Sequence, residues 1–125
     1  MKNIFLILAF YLLLFVSDYS YSQWVWQNPL PQGNHLWSNS FYDAQTGWSV
    51  GNYGTILKTT NGGINWVIQY CPLDKNLRSV FFKDSQIGWI AGESGTFLKT
   101  TNGGINWISQ TPISTQNLKA IYFTD

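Results

Sequence analysis

Repeated four-stranded antiparallel sheets, and hence an all-β fold, are predicted by three observations. The first is composition. Of 125 residues, 18% are aromatic and only 10% charged, and eleven are glycine. That much apolar surface excludes a disordered tail, and the glycines with few strong helix formers argue against a helix bundle. The second is an internal repeat. GWSVGNYGTILKTTNGGINWVIQ, from Gly47 to Gln69, returns as GWIAGESGTFLKTTNGGINWISQ, from Gly88 to Gln110, with sixteen of 23 positions identical and a constant offset of 41. The third is the pattern inside each unit. In the second unit four short runs, Leu77–Phe82, Trp89–Ala91, Thr96–Thr100 and Trp107–Gln110, are rich in aromatic and β-branched residues and bounded by Gly, Asn, Asp and Ser. Such runs read as strands, and none has the length or 3.6-residue spacing of a helix. Four strands in about 41 residues make one blade of a β-propeller.

The elements follow in chain order. Met1-Lys2-Asn3 is a short positive start, Ile4 to Val16 is an unbroken apolar run, and Ser17 to Ser22 is polar with small residues at positions 20 and 22. This is the layout of a secretory signal, and the apolar run is too short for a helix spanning the hydrocarbon core. Residues 1–22 are therefore expected to be a signal peptide, cleaved before Gln23. The destination is secreted, periplasmic or cell surface, with no stable membrane insertion afterwards. Blades are expected at about 35–75 and 76–116, and residues 117–125 begin a third. Leu77 to Phe82 aligns with Leu118 to Phe123, and Asp43, Asp84 and Asp125 fall at one repeat position. Gln23 to about Gln27 could supply an outer strand to a last blade. Propellers close with roughly four to eight blades. The remaining blades are thus expected to lie outside this chain, which alone should be poorly soluble or should oligomerise.

The turns carry their own chemistry. Asn61-Gly62-Gly63 and Asn102-Gly103-Gly104 separate the third and fourth runs. Asn-Gly suits the positive φ of a tight hairpin, and an Asn side chain closes an Asx turn. Thr59 and Thr100 end the preceding strand and can bond the same loop. Trp66 and Trp107 are expected to pack over it, each burying on the order of 200 Å², about 5 kcal/mol before entropy costs. Replacing Trp66 by Ala should thus damage its blade more than any surface change. Trp48, Trp89, Phe41, Phe82 and Phe123 are expected in the core between blades, whereas the unrepeated Trp24, Trp26, Trp37, Tyr42, Tyr53 and Tyr70 are better candidates for exposure. Lys58 and Lys99 read as solubilising residues at a strand edge. Gly51-x-x-Gly54 and Gly92-x-x-Gly95 read as hairpin turns.

TTNGGINW, at Thr59–Trp66 and Thr100–Trp107, resembles the Asp-box hairpin, with Asn61 and Asn102 standing where that pattern has Asp. Together with the preceding GWxxGxxGTxLKT, the unit is similar to the repeat of the photosystem II assembly/stability factor family of β-propellers, which also occurs in secreted bacterial versions. The resemblance covers roughly Gln27 to Asp125. It implies a rigid ring that presents loops to a protein partner, without enzymatic activity. It also implies partner contact through a basic surface patch, which this segment does not carry on the family's scale. Arg78 and Lys119 occupy equivalent repeat positions, and Trp37 fills the first unit. These three are the candidate partner-binding residues. The alternative implied by the Asp-box likeness is a fragment of a carbohydrate-active enzyme, of sialidase or glycoside hydrolase type, with its catalytic residues in other blades.

Little else in the chain bears chemistry. Seven Lys and Arg against six Asp and Glu give no basic footprint for nucleic acid. Glu93, the only Glu, and Asp84 form the one carboxylate pair to consider for glycoside hydrolysis, and sequence gives them no geometry. A sialidase-type site needs several Arg, and Arg78 is the only one. One His and one Cys cannot build a structural zinc site. No catalytic residue, metal or cofactor is expected. Cys71, without a disulfide partner, reads as a small buried hydrophobe.

Overall fold

The computed structural model describes residues 32–112 and 114–124. The leader at residues 1–22, the strand expected at Gln23–Gln27, and Trp24 and Trp26 lie outside the described residues. Among the described residues, eight strands form two antiparallel meanders. The first blade holds β1 (Leu36–Phe41), β2 (Gly47–Gly51), β3 (Ile56–Thr59) and β4 (Val67–Gln69) in that spatial order. The second repeats it with β5 (Leu77–Phe82), β6 (Gly88–Gly92), β7 (Phe97–Thr100) and β8 (Ile108–Ser109). The chain is thus all-β, with the four-stranded sheets that the four runs per repeat predict. The last run is shorter than expected, because Trp107 leaves the ladder and turns into the core.

The loop between β3 and β4 differs from a tight Asn-Gly hairpin. Its positive φ values fall on the two glycines, 68° at Gly62 and 88° at Gly63, and not on Asn61. Asn61 acts through its side chain instead. The Thr59 hydroxyl accepts the Gly63 amide at 2.9 Å and donates to Asn61 Oδ1 at 3.0 Å, and that oxygen accepts the Asn65 amide at 2.9 Å. Thr100, Asn102, Gly104 and Asn106 repeat these bonds. The Gly62 and Gly103 amides tie the loop to the carbonyls of Gln45 and Gln86. The tight hairpin lies one turn earlier. Tyr53 and Gly54, and then Ser94 and Gly95, both have positive φ, the primed geometry that matches strand twist.

The core is the seam between blades. Trp48, fully buried on β2, stacks on Phe82 of β5 with centroids 3.4 Å apart, and Phe82 meets Trp107 edge-on at 5.8 Å. The Trp48 indole N–H donates to the Gly103 carbonyl at 3.2 Å, and Lys58 Nζ donates to the same oxygen at 2.9 Å. Lys58 is therefore not a strand-edge solubiliser: β3 is an interior strand, and its ammonium lies 5.2 Å from the Trp48 centroid. A Cβ on Gly104 would stand 2.9 Å from Trp48 Nε1, so the turn approaches this closely only as glycine. Val50, Ile56, Leu77, Val80, Ile90 and Leu98 complete the cluster. Cys71 packs half-buried against it, its thiol donating to the Leu73 carbonyl at 3.2 Å and pushed to a higher pKa by burial.

Repeat position alone does not decide burial. Phe82 is 6% exposed, but Phe41, its counterpart, is 46% exposed. Trp107 is buried, whereas Trp66 is only half-buried against Phe41. Among the described residues, the core expected at every repeated aromatic is thus confined to the seam that has a blade on both sides. Trp37, Tyr42, Tyr53 and Tyr70 are exposed as their lack of repetition predicts.

Two substitutions test this account. Trp107→Ala should cost about 3–5 kcal/mol in urea unfolding, the usual penalty for emptying a large aromatic site, and Trp66→Ala distinctly less. Thr100→Val should cost about 1–3 kcal/mol by leaving buried loop amides without an acceptor, while Thr101→Val, on an exposed neighbour, should change little.

Candidate protein-binding groove

The first strands of successive units run side by side without a backbone ladder. Serine hydroxyls join them instead. Ser38 Oγ accepts the Val80 amide at 3.2 Å, Ser40 Oγ accepts the Phe82 amide at 3.1 Å, and Ser79 Oγ accepts the Ile121 amide at 3.1 Å. The same bond at each step brings the third unit's Leu118–Phe123 segment onto blade 2, with Phe123 4.5 Å from the Trp89 ring. Positions 37, 78 and 119 are thereby set in a row.

A bulge turns the first two to the surface. In β1 the register steps from Leu36 opposite Gly51 to Ser38 opposite Val50, leaving Trp37 as the extra residue. In β5 it steps from Leu77 opposite Gly92 to Ser79 opposite Ala91, leaving Arg78. A bulge re-aims one side chain out of strand alternation. Trp37, Arg78, Asn117 and Lys119 line a shallow groove of about 430 Å³. All three candidate partner-binding residues meet here.

Each bulge residue is held by the loop after the next strand. The Trp37 indole N–H donates to Asn52 Oδ1 at 2.6 Å. One repeat later the Arg78 guanidinium pairs with Glu93, which also accepts from Asn76 Nδ2 at 2.9 Å. Residues 52 and 93 occupy the same repeat position, so indole with amide becomes guanidinium with carboxylate. Arg78 also lies over the Trp37 ring, 4.4 Å from its centroid, a cation–π contact across the two units. Asn76 and Asn117 stiffen the rim, accepting the amides of Tyr53 at 3.1 Å and Ser94 at 3.0 Å. Arg78 is thus held between the Glu93 carboxylate and the Trp37 ring. Lys119 is exposed and forms no ion pair among the described residues.

The carboxylates have structural roles. The Arg78 hydrogen bond holds the Glu93 carboxyl below its usual range, opposed by partial burial and assisted by Asn76. Asp84 is depressed by the amides of Ile87 and Gln86, and Asp43 by those of Thr46 and Gln45. Each aspartate closes the turn between the first two strands of its blade. Alignment marks these aspartates as a repeat feature without revealing that role. The Glu93 partnership went unread in sequence because it joins a strand to a turn fifteen residues on. A cation at a repeat position fifteen residues before an acid was the available signal. Among the described residues, no group of three or more His, Cys, Asp and Glu is placed to hold a metal ion, and no helix is long and apolar enough to cross a membrane.

Two stacked four-stranded meanders, joined through first-strand serines and an aromatic seam, define part of a β-propeller. The family model described as photosynthesis system II assembly factor YCF48 matches residues 16–121, and the chain belongs to that family. Among solved structures it is similar to one described as YCF48 bound to D1 peptide, with 32% identity and a TM-score of 0.66 over 73% of this chain and 32% of that one. It is also similar to YCF48 from Cyanidioschyzon merolae, with 28% identity and a TM-score of 0.59 over 68% of this chain and 30% of that one. The chain spans about a third of the length of each. No curated protein matches it significantly.

The Glu93 pairing predicts a pH dependence with a definite sign. A carboxyl whose pKa is depressed by folding contributes stability above its unfolded pKa, about 4.3 for Glu, and loses it as pH falls through the folded value. In urea unfolding the native chain should exceed Glu93→Gln at pH 7, and the gap should close below the ordinary Glu range.

Proposed function

We propose that this chain is an exported, non-enzymatic propeller segment that binds a protein partner, with the groove of Trp37, Arg78, Asn117 and Lys119 as its contact surface. The carrying observation is the bulge at the same position in both blades, which turns Trp37 and Arg78 out of their strands beside Lys119. A family member solved with a D1 peptide supports the peptide-binding part of this reading. Export rests on the leader pattern of residues 1–22.

The chemistry favours an extended peptide bearing a carboxylate. Glu93 already neutralises much of Arg78, so Lys119 supplies the uncommitted positive charge, while the exposed indole of Trp37 offers an apolar wall. Arg78 keeps further N–H donors, since a guanidinium has five and one carboxylate does not use them all. The remaining blades of the ring would come from outside the described pair.

Fluorescence anisotropy on the full chain tests the proposal, using labelled peptides that end in a free carboxylate and the same peptides amidated. The free acids should bind more tightly, by roughly tenfold for one charge-assisted contact. Lys119→Ala should erase most of that difference, and Trp37→Ala should weaken both forms. Equal binding of acid and amide, or affinity unchanged by both substitutions, would overturn the groove as the contact surface.

A further inference from the structure

The turn between β2 and β3 serves two places. Its Asn52 braces Trp37 in the groove, while Tyr53 and Gly54 meet the linker that leads from β4 to β5. That linker is pressed onto the turn. The Gly54 amide donates to the Lys75 carbonyl at 2.7 Å, and a Cβ on Gly54 would stand 2.2 Å from the Leu73 carbonyl. An open cleft of about 440 Å³ lies here, with Tyr53, Ile68, Tyr70, Leu73 and Asp74 in its lining. Tyr53 and Tyr70 are 69% and 73% exposed. Asp74 is the one lining residue charged at neutral pH, and among the described residues it forms no ion pair. The repeat does not demand this cleft. At the offset of 41, Tyr53, Tyr70 and Asp74 become Ser94, Thr111 and Thr115. Ser94 takes a φ of 54° where Tyr53 takes 55°, so a small polar residue builds the same turn. A bulky residue is disfavoured in that left-handed region, and an exposed ring recovers little by packing.

We infer that this cleft takes a cationic side chain, lysine or arginine, from the same protein partner whose carboxylate the groove receives, and to that extent it rests on the groove reading. The occupant is argued from charge. An aromatic face attracts a cation through its quadrupole, and a carboxylate without a partner adds a Coulombic attraction. The apolar stem of a lysine would run along Ile68 and Leu73 while its head stays at the open mouth. The charged lining of the groove is the opposite, Arg78 and Lys119. The two sites are joined by a chain of contacts. The Tyr53 amide donates to Asn76 Oδ1 at 3.1 Å, Asn76 Nδ2 donates to Glu93 at 2.9 Å, and Glu93 pairs with Arg78. One extended segment with its carboxylate in the groove and a cation upstream would meet both. Discrimination against partners that carry the carboxylate alone follows from that second contact.

A lysine walk tests the cleft on the full chain by fluorescence anisotropy. Labelled peptides carry one lysine at successive positions upstream of the C-terminus, each compared with norleucine at the same position, as free acid and as amide. At one position or two neighbouring ones, lysine should bind roughly three- to tenfold more tightly than norleucine. Asp74→Asn should remove most of that preference. Tyr53→Ser and Tyr70→Thr, which install the residues of the second blade, should reduce it without moving the urea midpoint. No lysine preference at any position, or one that survives both Asp74→Asn and Tyr53→Ser, would overturn the inference. In either case a persisting acid–amide difference leaves the groove standing. Loss of the acid–amide difference with an Asp74-dependent lysine preference intact would instead uphold the cleft and sink the groove.

Discussion

One contact organises the molecule: the Trp48 ring lies flat on Phe82 while its indole N–H and the Lys58 ammonium converge on the Gly103 carbonyl. Among the described residues, no backbone ladder joins the two sheets to fix their angle. A large flat ring supplies apolar area, and a single carbonyl with two donors fixes orientation. The glycines follow from this geometry. Positive φ aims the Gly103 carbonyl outward, and a Cβ on Gly104 would collide with the indole. The threonine and asparagine of the same loop hold that carbonyl in place by satisfying the amides beneath it. The most nearly invariant stretch of the repeat, TTNGGINW, is therefore a docking part for the preceding blade as much as a hairpin.

The groove depends on the same seam. The serine contacts between β1 and β5 and between β5 and the third unit set the spacing of positions 37, 78 and 119. The bulges then turn positions 37 and 78 outward. Because the residue at 52 or 93 braces each bulge residue, the groove can change chemistry by paired substitution without moving the backbone. Trp37 with Asn52 and Arg78 with Glu93 are two versions of one brace. The pairing also limits charge. A guanidinium stacked on an indole and bonded to a carboxylate is a fixed donor array, and Lys119 is the exposed cation without an ion pair among the described residues.

Much of this was legible in sequence because a repeat constrains its reading twice. The period gave the blade, the four runs gave the strands, and the candidate partner-binding positions came from alignment of Trp37, Arg78 and Lys119. What misled was treating equivalent positions as equivalent environments. Phe41 and Phe82 share a repeat position, yet among the described residues only Phe82 has a blade on its outer side. Lys58 resembled a surface lysine because its acceptor, a backbone carbonyl forty-five residues away, leaves no trace in side-chain pattern.

The sequence by itself determined the number of strands per unit, their order and the residues able to turn sharply, since these rest on local periodicity and on glycine stereochemistry. Tertiary structure decided which aromatic rings are buried, which cations are committed and which residue leaves its strand at a bulge. Those outcomes depend on a neighbouring sheet, and the position of that neighbour is set by distant contacts that no local window of sequence contains.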